Sequence, residues 1–284
     1  MVLEQINGFF NYINERHQIY CRRQAGMEPP WTEDPIIKEF SFCNVFRELD
    51  SVTIWLRENW KEPYADHPNL PFAMSVARQI NWPETLQEIG FPEHWNPERV
   101  KAIMQGRMDR GEKVYTGAYM LTGTLGGTKV QQTIDKILTP LYENQPEIHS
   151  ESLQKTWSEY LSYAGFSGFM AYEVVTDLRH TKYLGNARDI YTWANPGPGA
   201  KRGLNRIHGR ELTWSPTRGH IGYIGWNCEM KDLLSESPKY LEPHVPSLEM
   251  RDIEHCLCEF DKYERTRLGQ GRPRSRYKPR EYEE

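Results

Sequence analysis

The chain reads as all-α. Three observations predict this. Apolar residues recur at helical spacing in several segments, prolines stand where the first turn of a helix tolerates them, and alternating strand patterns are weak throughout.

Taken in order, residues 41–58 form the clearest predicted helix. Phe42, Val45, Phe46, Leu49, Val52 and Leu56 fall on one apolar stripe, which Ile54 and Trp55 widen. A helix so broadly apolar is buried on more than one side, so Asn44, Arg47, Asp50 and Arg57 must find partners or line a cleft. Between Pro63 and Pro97, prolines and tryptophans punctuate short helices over 70–79 and 82–89, with another over 98–105. Residues 117–127 read as a glycine-rich loop before a helix over 128–141. Further helices are predicted over 150–163 and 169–178, broken by glycines at 165–168. Residues 211–225 read as turns, and 246–267 as a last strong helix. No solenoid repeat and no linker is visible. The expected organisation is one helical domain over 1–264, followed by a basic tail over 265–284.

At 284 residues, 38% hydrophobic and 12% aromatic, the chain is long and apolar enough to bury a core. The net charge of −4 excludes a uniformly basic coat, so contact with nucleic acid must come from local patches. The five cysteines have no framework spacing, the N-terminus lacks a secretory pattern, and no run reaches the ~18 apolar residues of a membrane span. A reducing, cytoplasmic setting away from membranes is the expectation.

Four constellations carry candidate chemistry. Residues 193–209, WANPGPGAKRGLNRIHG, read as a helix ending near Ala194, a hairpin with Gly197 and Gly199, and a helix from about Ala200. Such a helix–hairpin–helix points backbone N–H groups at a phosphate, beside Lys201, Arg202 and Arg206. The same residues also describe an ordinary helix–helix corner. Glu173 and Asp177 stand four apart, so they share a helical face. They need a metal, an arginine or a shared proton between them unless that face is solvated. His255, Glu259 and Lys262 also fall in line, suited to proton transfer and anion binding or to an ion-paired surface. Zinc is disfavoured there, because Cys256 and Cys258 point to different sides of a helix. Finally, the tail carries Arg265, Arg267, Arg272, Arg274, Arg276, Lys278 and Arg280 with no acidic residue among them, a pattern that tracks phosphates or stays solvated. GTLGGTK at 123–129 lacks Walker A spacing, which argues against a P-loop kinase.

The strings FCNVFRELDSVTIWL (42–56), GFMAYEVVTDLRHTKYL (168–184), TWANPGPGAKRGLNRI (192–207) and DIEHCLCEFDKYER (252–265), in this order, resemble the alpha-glutamyl/putrescinyl thymine pyrophosphorylase family. That group includes phage amino acid:DNA transferases and is similar to the helical domain of phage 5-hydroxymethyluracil DNA kinases. The resemblance implies a fold like that of helix–hairpin–helix DNA glycosylases. It also implies a reaction in which an amine or amino acid displaces pyrophosphate from 5-pyrophosphoryloxymethyluracil in double-stranded DNA.

The target base would leave the stack. Arg47, Asp50, Arg179 and Lys262 would serve the pyrophosphate, and Glu173, Asp177, His255 or Glu259 would deprotonate the amine. Gly197, Gly199, Lys201, Arg202, Arg206, Arg272, Arg274 and Arg276 would meet DNA. The donor, whether glycine, glutamate, serine or putrescine, stays open. So does Mg2+ as a cofactor bridging the pyrophosphate; no resident metal is expected. A base-excising glycosylase or lyase needs a lysine or aspartate just after the hairpin, where only Lys201 stands until Glu211. A non-catalytic DNA-binding partner of a separate kinase is the remaining alternative.

Overall fold

The computed structural model describes residues 1–116, 125–216, 220–273 and 275–277, with backbone alone at 220–224. Every regular element among them is a helix, apart from one isolated antiparallel bridge between Phe40 and Arg276. None of these helices is long and apolar enough to cross a membrane.

In chain order the helices are α1 (Leu3–Gln24), α2 (Pro35–Glu39), α3 (Ser51–Leu56, extended by a wide turn over Arg57–Lys61), α4 (Leu70–Ile80), α5 (Pro83–Ile89) and α6 (Pro97–Asp109). A continuous helical run follows: α7 (Lys129–Gln131), a wide-turn stretch Gln132–Leu138, and α8 (Thr139–Glu143). Then come α9 (Leu153–Tyr160), α10 (Gly168–Arg179), α11 (Pro198–Ile207), α12 (His220–Glu236) and α13 (Met250–Arg267). The chain divides into two compact units, Met1–Asp50 with Ile190–Glu284, and Ser51–Asp189.

The first unit is organised on α1, α11 and α13. No element before residue 41 is predicted above, yet α1 is the longest helix described, at 22 residues. Its buried Ile6, Phe9, Phe10 and Ile13 recur at helical spacing. Phe9 meets Phe260 of α13 edge to face at 5.5 Å. Against α13 also lies α11, in a very close approach made by two glycines. A Cβ at Gly203 would collide with the Leu257 carbonyl, and one at Gly199 with Cys258 Sγ. These glycines therefore admit the neighbouring helix backbone.

The second unit surrounds α4, in which every residue is buried. Asn81 ends this helix in the left-handed conformation at φ 49°. The carboxylate of Asp189 accepts from Leu153 N at 2.8 Å and Gln154 N at 3.0 Å, closing the N-terminus of α9.

Three predicted elements are corrected. Residues 41–58 are not one helix: an irregular stretch leads to a short 3-10 turn over Arg47–Leu49, and only then does α3 begin. Here side chains take over the backbone's hydrogen bonding. Asp50 Oδ1 accepts from Asn44 N at 3.2 Å and Asn44 Nδ2 at 3.0 Å, while Phe42 and Val45 are buried without helical periodicity. The turns predicted over 211–225 give way to α12 from His220. No helix ends at Ala194: residues 181–192 are turns, and Asn227 Oδ1 accepts from Ala194 N at 2.8 Å. Of the expected helix–hairpin–helix, only the second helix is present. The glycine-rich loop over 117–127 falls mostly outside the described residues.

Candidate functional site

In the first unit, the irregular segment after α2 meets α13 and gathers several predicted site residues. Arg16 Nη2 reaches out of α1 to Phe42 O at 3.2 Å and to Asn44 Oδ1 at 2.9 Å. Asn44 Nδ2 donates to Leu49 O at 2.8 Å, so the turn is tied at both ends. On this frame Arg47 pairs with Asp50, each side chain about 20% exposed. From α13, Glu259 Oε2 accepts from Cys43 N at 2.9 Å and from Lys262 Nζ at 2.7 Å. Lys262 Nζ also lies 4.7 Å from the Phe42 ring centroid. Two carboxylate–cation pairs, Arg47–Asp50 and Lys262–Glu259, thus flank Cys43. Burial pushes the Cys43 thiol up to about 12, with Glu259 and Asp50 adding to the rise. A rise in this direction favours the neutral thiol, the weaker nucleophile. His255 lies one turn before Glu259 on α13, half-buried.

In the second unit, Glu173 and Asp177 sit on α10 at 2% and 1% exposure, so their face is not a solvated edge. Arg78 of α4 grips Asp177 with two parallel bonds, Nε to Oδ2 at 2.5 Å and Nη2 to Oδ1 at 2.7 Å. The same guanidinium donates to Thr53 Oγ1 at 3.2 Å and Asn81 Oδ1 at 3.3 Å. Lys61, 4% exposed, places Nζ 3.9 Å from Asp177 Oδ1. Arg78 and Lys61 escaped the sequence reading. For Arg78 the signal was present, because a charge inside the otherwise apolar helix LPFAMSVARQI requires a buried partner; Lys61, in the polar stretch RENWK, carried none. Arg179 ends α10, half-buried.

The residues expected to meet DNA have varied surroundings. Gly197 N, at the start of α11, donates to Glu254 Oε1 at 3.2 Å, so a protein carboxylate already occupies the place expected for phosphate. Gly199 packs on Cys258. Lys201 is half-buried. Arg202 and Arg206 turn inward to Asp261, at 2.8 Å and 2.9 Å. Arg272 is exposed. Arg276 is 72% exposed and 3.5 Å from Glu39, where the tail folds back: Ser41 N donates to Ser275 O, and Tyr277 N to Glu39 O. Arg274, Lys278 and Arg280 lie outside the described residues. Among the described residues, no three His, Cys, Asp or Glu side chains stand together as metal ligands.

Asp252 adds a pH-dependent element near the start of α13. Its Oδ2 accepts from Glu249 N at 2.8 Å in a reciprocal cap. Burial raises its carboxyl from 3.8 to about 7, with the Glu249 and Glu48 charges adding to it. A raised carboxyl contributes stability that is complete below pH ~4 and lost as pH rises through about 7. Asp252→Asn keeps the oxygen that accepts from Glu249 N and removes the charge. It is expected to melt higher than the parent at pH 8, by about 1 kcal/mol, a value kept small because the side chain retains some solvent contact. The gap should close toward pH 5; a gap independent of pH between 5 and 8 would refute the assignment.

With this geometry in place, the class is defined by comparison. Residues 4–272 match the family described as "5-hmdU DNA kinase, helical domain", and the chain belongs to that family. A curated relative, the 5-hmdU DNA kinase of Bacillus phage SP10, is 27% identical over 287 residues, covering 90% of this chain. The chain spans 44% of that relative's length. No solved structure matches.

Proposed function

We propose that this chain takes part in thymine hypermodification of phage DNA, as a transferase that displaces pyrophosphate from 5-pyrophosphoryloxymethyluracil with an amine. Membership of the helical-domain family and the relative's name support hydroxymethyluracil DNA as the substrate class. The observation that carries the chemistry is the two ion pairs at Cys43, Arg47–Asp50 and Lys262–Glu259, in which Arg47, Asp50 and Lys262 are part-exposed and Glu259 is buried.

Each pair holds a cation ready to exchange its carboxylate for an incoming anion. Pyrophosphate binding to Arg47 and Lys262 would draw Lys262 from Glu259 and leave that carboxylate uncompensated. Glu259, or His255 one turn away, then accepts a proton from the ammonium form of the donor. The amine nitrogen bonds to the exocyclic methylene as its C–O bond breaks, and the electron pair leaves on pyrophosphate. Magnesium, if required, would enter bound to the pyrophosphate. Asp177, with both oxygens engaged by Arg78, is given a structural role. A glycosylase-like scaffold, as the resemblance implies, would have to do without the first helix of the hairpin motif, and activity in the cytoplasm of an infected host belongs to the same reading.

Incubation with duplex DNA bearing the pyrophosphorylated base, magnesium, and glycine, glutamate, serine or putrescine, followed by nucleoside mass spectrometry, tests the reading. The expected product is hydroxymethyluridine heavier by one donor less water. Glu259→Gln should keep DNA affinity and slow turnover about 100-fold or more. Unchanged substrate with every donor rejects the transferase. A second reading, a recognition module serving a kinase, draws on the family's being one part of a longer kinase. It predicts DNA binding with no product.

A further inference from the structure

We propose that Arg202 and Arg265, held on the buried Asp261 carboxylate, form a clamp for backbone phosphates of duplex DNA on the shared edge of α11 and α13. The proposal rests on the reading that this chain works on DNA. Asp261 is fully buried and carries one negative charge, yet three guanidiniums converge on it. Arg206 is buried with it, donating Nε to Oδ1 at 2.9 Å and Nη2 to Gln270 Oε1 at 2.8 Å. That partner alone neutralises the carboxylate. Arg202 Nε adds a bond to Oδ2 at 2.8 Å, and Arg265 Nε approaches the same oxygen at 3.6 Å. At that distance Arg265 makes a charge contact and no hydrogen bond.

The cluster therefore carries a local charge of +2 on a chain whose formal net charge is −4. A structural ion pair needs no such surplus. Arg206 is 5% exposed, whereas Arg202 and Arg265 each keep 36% of the side chain at the surface. Both turn Nε toward Asp261, which fixes the direction of a planar fork bearing further N–H donors. Orientation by a buried carboxylate lowers the entropy lost when the fork meets an oxyanion. Access to this geometry depends on Gly199 and Gly203, which let α11 lie on α13 closely enough for its arginines to reach Asp261. The partner chemistry is an extended array of singly charged phosphates, as in a duplex backbone.

The test is fluorescence anisotropy of the full chain with unmodified duplex DNA across a salt series. Arg202→Gln and Arg265→Gln leave Arg206 on Asp261, so both should fold, which thermal melts verify. Each is expected to weaken binding about tenfold at low salt and to flatten the log–log salt slope by about 1, and the double variant by about 2. Lys239→Gln, which removes an exposed lysine paired with Glu236, should do neither. Folded variants with parental affinity and slope overturn the proposal. So does a Lys239→Gln loss of equal size, or a parent that binds no duplex. If the variants lose affinity for inorganic pyrophosphate and keep DNA binding, the cluster serves the leaving group and the proposal fails. Product formation is read separately. A flattened slope without product leaves the clamp and removes the transferase, while product with unaltered slopes does the reverse.

Discussion

Asp177→Ala is expected to destabilise the protein by about 3–5 kcal/mol, lowering the melting temperature by roughly 10 °C or more. The carboxylate is 1% exposed and receives two bonds from Arg78 at 2.5 and 2.7 Å, with Lys61 Nζ at 3.9 Å. Truncation removes little volume but deprives a buried guanidinium of its bidentate carboxylate. The bonds of the fork to Thr53 Oγ1 and Asn81 Oδ1 are to neutral acceptors, which cannot replace the Asp177 carboxylate. Replacing both members, as Arg78→Met with Asp177→Leu, takes that pair out of the core but leaves the buried Lys61, and should recover part of the loss. Thermal and urea unfolding of the two singles and the double measure the coupling. A double as unstable as the sum of its singles would show that Arg78 and Asp177 act independently, against the geometry. The cycle also separates roles: an ion pair that serves only the fold returns activity together with stability in the double variant.

Gly203→Ala should destabilise by about 2–4 kcal/mol, although alanine is ordinarily the better helix former by roughly 1 kcal/mol. The sign is set by what a methyl would meet. Its carbon would collide with the Leu257 carbonyl oxygen and approach the carbonyl carbon at 2.9 Å and Leu257 Cβ at 3.1 Å. These are mainly backbone atoms of α13, so no rotamer change relieves the contact and the two helices must separate. Separation would lengthen the bonds from Arg202 and Arg206 to Asp261, now 2.8 and 2.9 Å. With the proposed Arg202–Arg265 clamp, loss of stability should therefore accompany weaker duplex binding. Gly26→Ala provides a useful contrast, since nothing lies within 4 Å of its added methyl and the penalty there comes from φ +69° alone. A Gly203→Ala protein that melts at or above the parent would contradict the close approach of α11 and α13.

What the sequence determined alone follows from local periodicity and local chemistry. Helical class, α10 and α13 were legible from residues that recur every three to four positions, and α4, α5 and α6 from prolines placed where a first helical turn tolerates them. The i, i+4 placement of Glu173 and Asp177 was legible for the same reason. Residues 41–58 misled, since the stripe Phe42, Val45, Phe46 and Leu49 is genuinely helical in spacing. Asn44 and Asp50 nevertheless bind the backbone themselves, and the division between the two units falls after Asp50. The hairpin glycines were legible as special residues but not in their role. A glycine that admits a neighbouring helix is spelled like one that frees a turn, and only the position of Leu257 and Cys258 tells them apart.

Charge partners across long sequence separations belong wholly to the tertiary structure. Arg78 finds Asp177 ninety-nine residues away, Cys43 N finds Glu259 at 216, and Arg202 finds Asp261 at 59. No local pattern encodes such pairings, because an isolated arginine reads the same whether it meets a phosphate or a buried aspartate. Packing decided which cations neutralise the core and which are left, in surplus, facing solvent.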